Sequence, residues 1–70
     1  MTFKTFTAIF HREEDMYVAQ CPEIGNVSQG ATIEDALANL KEATELYLEE
    51  FPIKDIERPM LTTFEVAVNA

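Results

Sequence analysis

The sequence predicts an α+β domain in which a single helix lies across one face of a small sheet, in the order β-β-β-α-β. Three observations predict this class. Segments rich in β-branched and aromatic residues occur near both ends of the chain. One long stretch with helical spacing of its apolar residues lies between them. The length of 70 residues suits one small domain, so we expect positions 1–70 to form that domain alone.

The first two strands are predicted to form a hairpin. Residues 3–11 (FKTFTAIFH) have the composition of a strand, whereas the charged residues 12–15 (REED) are typical of a turn. Residues 16–21 (MYVAQC) supply the second strand. This strand is expected to stop at Pro22, because proline cannot donate a hydrogen bond to a ladder.

A short third strand and a long helix follow. A turn over 22–26 leads to a strand over 27–30. Thr32 is predicted to cap the helix, since its hydroxyl can accept the backbone N–H three residues on. Apolar residues then recur with helical spacing until Pro52, which disfavours helical geometry in the residue before it. The helix is therefore predicted over 33–50.

The last predicted elements are a loop and a fourth strand. Residues 52–61 (PIKDIERPML) contain two prolines and predict the loop. Residues 62–68 (TTFEVAV) alternate in character, which predicts a strand. One face of this strand would carry Phe64, Val66 and Val68.

One helix covers only one face of a sheet, so the other face is predicted to be open to a partner. Both alternating sets of residues on the first two strands contain apolar side chains. Whichever set meets the helix, the other leaves Ile9, or Met16 and Val18, on the outside. Scattered apolar residues on a solvated surface are the alternative interpretation.

The charge balance favours a basic partner. Thirteen acidic and five basic residues give a formal net charge of −8. Affinity for nucleic acid depends mostly on Lys and Arg that neutralise phosphates, so this balance opposes direct binding to nucleic acid. The acidic side chains of the helix would instead steer a cationic protein.

The location and assembly of the protein are also expectations from composition. No apolar run approaches the roughly 20 residues of a membrane span, and the first residues lack the pattern of a secretory leader. One cysteine without such a leader suits a reducing compartment, so we expect a cytoplasmic protein. A 70-residue chain without disulfides commonly needs association for stability, so we expect a homo-oligomer, either a dimer or a tetramer.

No residue pattern points to catalysis. His11 precedes the acidic residues of the predicted turn, but ligands so closely spaced rarely converge on one metal ion. Neither His11 as a general base nor Cys21 as a nucleophile has a partner that the spacing specifies. We therefore expect no catalytic, cofactor-binding or metal-binding residues, and an enzyme with a small-molecule pocket stays as an alternative.

The predicted partner-binding residues combine positions on the sheet with acidic positions on the helix. They are Ile9, Tyr17, Val18, Glu42, Glu45 and Glu49.

A series of short motifs resembles the N-terminal domain of the HicB-type antitoxin family and its small uncharacterised relatives. The resemblance covers about residues 3–50, and it depends on the order of the motifs rather than on any one of them. The motifs are Met16-Tyr17-Val18-Ala19, Cys21-Pro22-Glu23-Ile24, Ser28-Gln29-Gly30, Thr32, Glu34-Asp35-Ala36, Asn39-Leu40 and Glu42-Ala43.

The resemblance implies a β-β-β-α-β fold that is partly RNase H-like and similar to a double-stranded-RNA-binding domain, without the usual activity of those folds. It also implies a non-catalytic protein that neutralises a small basic mRNA-cleaving toxin of the HicA type by blocking its catalytic histidine. A separate C-terminal domain binds the operator in that family, whereas only Asn69 and Ala70 follow Val68 here. We therefore expect no DNA-binding domain. A stand-alone homo-oligomeric interaction module without a toxin partner is the alternative.

Overall fold

The computed structural model describes residues 3–52 and 55–69, and it contains a three-stranded sheet followed by one helix. The α+β class and the helix on one face of the sheet are thereby confirmed. The second strand and the helix have the predicted bounds. The elements are β1 (Ile9–Glu13), β2 (Met16–Cys21), β3 (Asn26–Gly30) and α1 (Ile33–Glu50).

The first strand begins and ends later than predicted. Residues 3–8 lie outside the ladder. The register that pairs Ile9 with Gln20 would place Thr7 opposite Pro22, which follows the end of β2 and cannot donate a ladder hydrogen bond. At the other end Arg12 and Glu13 pair with β2, although a turn was predicted there. Their side chains are exposed at the tip of the hairpin, so their charges remain solvated. The connection needs only two residues, of which Glu14 has a φ of 56°.

The sheet is antiparallel with the order β1-β2-β3. Ala19 of the central strand lies opposite Phe10, whereas its neighbour Val18 lies opposite His11 and Gln29. Because successive side chains point to opposite faces, these two sets of residues lie on opposite sides of the sheet. The set containing Ala19 faces α1.

The core lies between α1 and that inner face, and it is small. The helix packs on β3 and β2 and makes little contact with β1. Apolar side chains on the β1 side are therefore only partly buried, among them Phe6 and Phe10. The buried residues of the core cluster are Ala19, Cys21, Ala36 and Leu40.

Gly30 allows the helix to approach the sheet closely. A Cβ atom at this position would lie 2.5 Å from the backbone nitrogen of Ala36. The helix begins immediately afterwards, where Thr32 Oγ1 accepts the backbone N–H of Asp35 at 3.0 Å. The predicted N-cap is thus confirmed, and it fixes the start of α1 above the end of β3.

Two amide side chains hold α1 on β3. Asn39 Nδ2 donates to the backbone carbonyl of Gln29 at 2.8 Å. Asn26 Nδ2 donates to Thr44 Oγ1 at 3.1 Å, and Thr44 is buried. These bonds and the close approach at Gly30 place the helix over one side of the sheet rather than over its centre.

The predicted fourth strand over 62–68 is not formed within the chain. No strand lies in the described range 55–69. The side chains of Phe64, Val66 and Val68 are 84%, 67% and 79% exposed. Alternation indicates which face of a strand can be buried, but a strand also needs an edge to pair with. In this chain the segment does not return to the edge of its own sheet.

The residues between α1 and this segment form the predicted loop where the structure describes them. Positions 53 and 54 of the predicted loop 52–61 lie outside the described residues. Among residues 3–52 and 55–69, no helix combines the length and the apolar character that crossing a membrane requires.

We expect Gly30→Ala to lower the free energy of unfolding by about 2–3 kcal/mol, because the added methyl group meets helix backbone that cannot move independently. Urea denaturation at one fixed protein concentration measures the change.

Gly25→Asn is the matched control. Gly25 has a φ of 83° and open space around its Cα, and asparagine tolerates this left-handed region better than other residues. We expect a loss below about 1 kcal/mol. Equal losses for the two variants would contradict the steric role of Gly30.

Candidate interaction surfaces

The outward side of α1 carries an acidic stripe, defined by Glu42, Glu45 and Glu49. Their i, i+3, i+7 spacing places the three side chains on one side of the helix, and all three are exposed. In the described part of the chain no cation lies within ion-pair distance of these carboxylates. Their charge is therefore open to a partner.

Acidic residues are favourable at the first turn of α1 and unfavourable at its last turn. Glu34 and Asp35 lie in the first turn, where the helix dipole favours negative charge. The last turn contains no basic residue and holds Glu49 and Glu50 instead. Each unfavourable position costs a few tenths of a kcal/mol at an exposed site. The position of Glu49, the last residue of the acidic stripe, is thus not explained by stabilisation of the helix.

The outer face of the sheet, on the side away from α1, offers less apolar surface than predicted. Ile9 is half-buried at its edge. Val18 is only 7% exposed, because it sits in the central strand between His11 and Gln29. Val27, which sequence reasoning did not single out, is 57% exposed on this face. The polar residues His11 and Gln29 therefore flank Val18, at the centre of the face that was predicted to be an open apolar surface.

Tyr17 lies on the inner face and not beside Val18. The two residues are consecutive in β2, so one of them must face the helix when the other faces outward. Tyr17 packs against the core cluster, and the guanidinium carbon of Arg12 lies 5.9 Å from the centre of its ring. The six predicted residues thus lie on three surfaces, and only the acidic stripe brings several of them together.

An apolar groove runs between α1 and the chain that precedes β1. Its volume is about 440 Å³. Leu37 is 47% exposed on its helix side, and Lys41 and Glu45 stand at its rim. Sequence reasoning missed this groove, although the helix carries more apolar positions than a small core needs. We name it the β1-side groove, and its apolar walls are Phe3, Phe6, Ala8, Leu37 and Leu48.

Glu23 fastens the chain before β1 to the turn between β2 and β3. Its Oε2 accepts the backbone N–H of Thr7 at 2.9 Å and the hydroxyl of Thr7 at 2.8 Å. Burial opposes the charged form, but the hydrogen bonds from Thr7 outweigh it and lower the pKa of Glu23. A carboxylate thus holds one wall of the β1-side groove in place.

Cys21 and His11, the two candidates for catalytic chemistry, lie in surroundings that indicate structural roles. Cys21 is 1% exposed in the core cluster, and burial raises the pKa of its thiol, so it is a small core residue. His11 Nε2 lies 3.1 Å from Glu13 Oε2, and both side chains are exposed. Within residues 3–52 and 55–69, no three His, Cys, Asp or Glu side chains converge on one metal position.

Comparison with known proteins gives one partial similarity. The chain is 50% identical over 42 residues to a UPF0150 protein of Helicobacter pylori (strain J99 / ATCC 700824). This match covers 59% of the chain and 58% of the relative, so it spans somewhat less than two thirds of either protein. No family model matches the chain, and no solved structure matches it.

We expect the stability contributed by Glu23 to depend on pH. Because its pKa is lower in the folded state than in the unfolded state, the contribution is present above the unfolded value of about 4.3. It is lost as the pH falls through the lower folded value. Glu23→Gln should therefore cost about 1–2 kcal/mol at pH 7, and the difference from wild type should shrink towards pH 3. Urea denaturation across this range measures it.

Glu57→Gln, in the exposed loop after α1, is the control. It should change stability by no more than about 0.5 kcal/mol at any pH. A difference for Glu23→Gln that stays constant down to pH 3 would contradict the role given to the carboxylate.

Proposed function

We propose that this chain is a non-catalytic antitoxin-type protein that binds and neutralises a small basic mRNA-cleaving toxin of the HicA type. The acidic stripe Glu42, Glu45 and Glu49 on α1 is the observation that carries the proposal. It is exposed, it has no cation within ion-pair distance among the described residues, and it belongs to a protein with a net charge of −8.

The chemistry of the partner gives the stripe its role. An enzyme that cleaves mRNA must attract a polyanion, so it presents Lys and Arg side chains around its catalytic site. A row of carboxylates competes for the same cations. It spans the eight residues 42–49 of α1, and the seven steps between its ends correspond to about 10 Å along the helix axis. Occupying the RNA-binding surface of the toxin blocks cleavage without any chemistry by the antitoxin.

Two further observations support the same function. The order of motifs from Met16 to Ala43 resembles the HicB-type antitoxins. The similarity to a UPF0150 protein is consistent with a small protein of the toxin–antitoxin type. The sheet supports binding through the helix, because two of its predicted partner-binding residues are not open to a partner. Val18 is buried, and Tyr17 faces the core.

The test begins with the gene neighbourhood, where we expect a gene for a small basic protein, and its absence would remove the support for a toxin partner. Inhibition of RNA cleavage by that protein is the readout. The triple variant Glu42→Gln, Glu45→Gln, Glu49→Gln should lower the association rate by roughly 10-fold at low salt. The difference should narrow as salt rises, because added ions screen exposed charges. Stopped-flow mixing measures the rates.

A second triple variant removes the same number of charges from the hairpin tip: Glu13→Gln, Glu14→Gln and Asp15→Asn. We expect it to lower the association rate by less than about 2-fold. An equal effect of the two triple variants would show that net charge acts rather than the stripe. Absence of inhibition by the wild-type protein would refute the proposed function.

A further inference from the structure

We propose that residues 62–68 of one chain form a fourth strand on the free edge of β1 in a second copy, so that the protein is a strand-exchanged homodimer. The inference does not depend on the toxin, because it concerns the association of two identical chains. It accounts for a segment with a strand pattern that pairs with none of the described strands of its own chain.

The donated segment has the properties of a strand without a sheet. Phe64, Val66 and Val68 alternate with Thr63, Glu65 and Ala67, and all six side chains are exposed. Three large apolar side chains in a row on one face form a surface that soluble chains normally cover. The segment carries one charge in seven residues, so pairing does not bring together the acidic groups of two chains.

The free edge of β1 is the better acceptor of the two sheet edges. The order β1-β2-β3 leaves one side of β1 and one side of β3 without a neighbouring strand, and each carries backbone groups that can accept a further strand. At β3 the helix packs over the strand, and the side chain of Asn39 already donates a hydrogen bond to the backbone carbonyl of Gln29. At β1 the helix makes little contact, so within residues 3–52 and 55–69 neither a helix nor a strand covers this edge.

The β1-side groove receives the apolar face of the added strand. It lies between α1 and the chain leading into β1, where a neighbouring strand would point its inner side chains. Leu37 is 47% exposed there, and Phe6 and Phe10 are only partly buried. Phe64 and Val66 of the second chain would complete the core on the side that α1 leaves open.

The course of the chain after α1 favours exchange over folding back. Asp55, Ile56 and Arg58 lie beside Lys4 and Thr5, so the chain reaches the segment that precedes its own first strand. It then leaves instead of turning along that edge. Pro59 follows, and it restricts both its own φ angle and the conformation of the residue before it.

The dimensions of the molecule agree with a projecting arm. The radius of gyration is 14.5 Å, whereas a compact chain of 70 residues has about 11 Å. The longest dimension is 50 Å, against 27 Å and 17 Å for the other two. Residues 62–68 would pair with their own sheet in a compact monomer. They can pair with the identical sheet of a second copy at low cost, which is the basis of strand exchange.

The first test compares two substitutions in the segment by analytical ultracentrifugation at about 50 µM. The wild-type chain should be a dimer. Val66→Asp places a charge on the buried face and should raise the dissociation constant by roughly 100-fold or more. Thr63→Asp adds the same charge to the outward face and should leave the dimer intact. A monomeric wild type, or equal effects of the two substitutions, would overturn the proposal.

The second test distinguishes exchange from pairing between two segments. Leu37→Asp blocks the groove but keeps the segment, whereas Val66→Asp blocks the segment but keeps the groove. Each variant alone should be monomeric, and a mixture should form a heterodimer with one intact exchange. Ala38→Asp, on an exposed neighbouring position of α1, controls for added charge and should stay dimeric. A Leu37→Asp dimer, or a mixture that remains monomeric, would refute strand exchange.

Discussion

The close approach of α1 to β3 is the contact on which the rest of this structure depends. Gly30 has no side chain to hold the helix away, and Asn39 and Asn26 bond across the same contact. Because one helix cannot cover three strands equally, its position over β3 and β2 leaves the β1 side of the inner face partly open. The groove, the free edge and the exposed Leu37 all follow from this off-centre placement.

The same placement determines which charges face solvent. The buried positions of α1, Ala36, Leu40 and Thr44, face the sheet, so the acidic stripe lies on the outward side. Leu46, which is 57% exposed, is an apolar exception on the solvent side of the helix. Glu49, in a last turn without a basic residue, gains nothing from the helix dipole. The protein therefore has two kinds of surface, an acidic one on the outside of the helix and an apolar one beside β1. We propose a different partner for each surface, a cationic protein for the acidic one and a second copy of this chain for the apolar one.

Much of the secondary structure could be predicted because local signals agree with each other. A strand bounded by Pro22, a threonine cap and an uninterrupted helical spacing gave the bounds of β2 and α1. The acidic stripe could also be predicted, since spacing along a helix sets which residues share a side. The sheet positions were less predictable. Tyr17 and Val18 are adjacent in a strand, and no local signal says which of them faces the helix.

The sequence by itself determined the order of the three strands and the helix, the cap and bounds of the helix, and the acidic character of its outer side. These features depend on residues that are close together in the chain. Only the tertiary structure decided that Val18 is buried, that Glu23 holds Thr7, and that residues 62–68 pair with no strand in the described part of the chain. Each of these depends on where distant segments lie in space, which periodicity and composition do not specify.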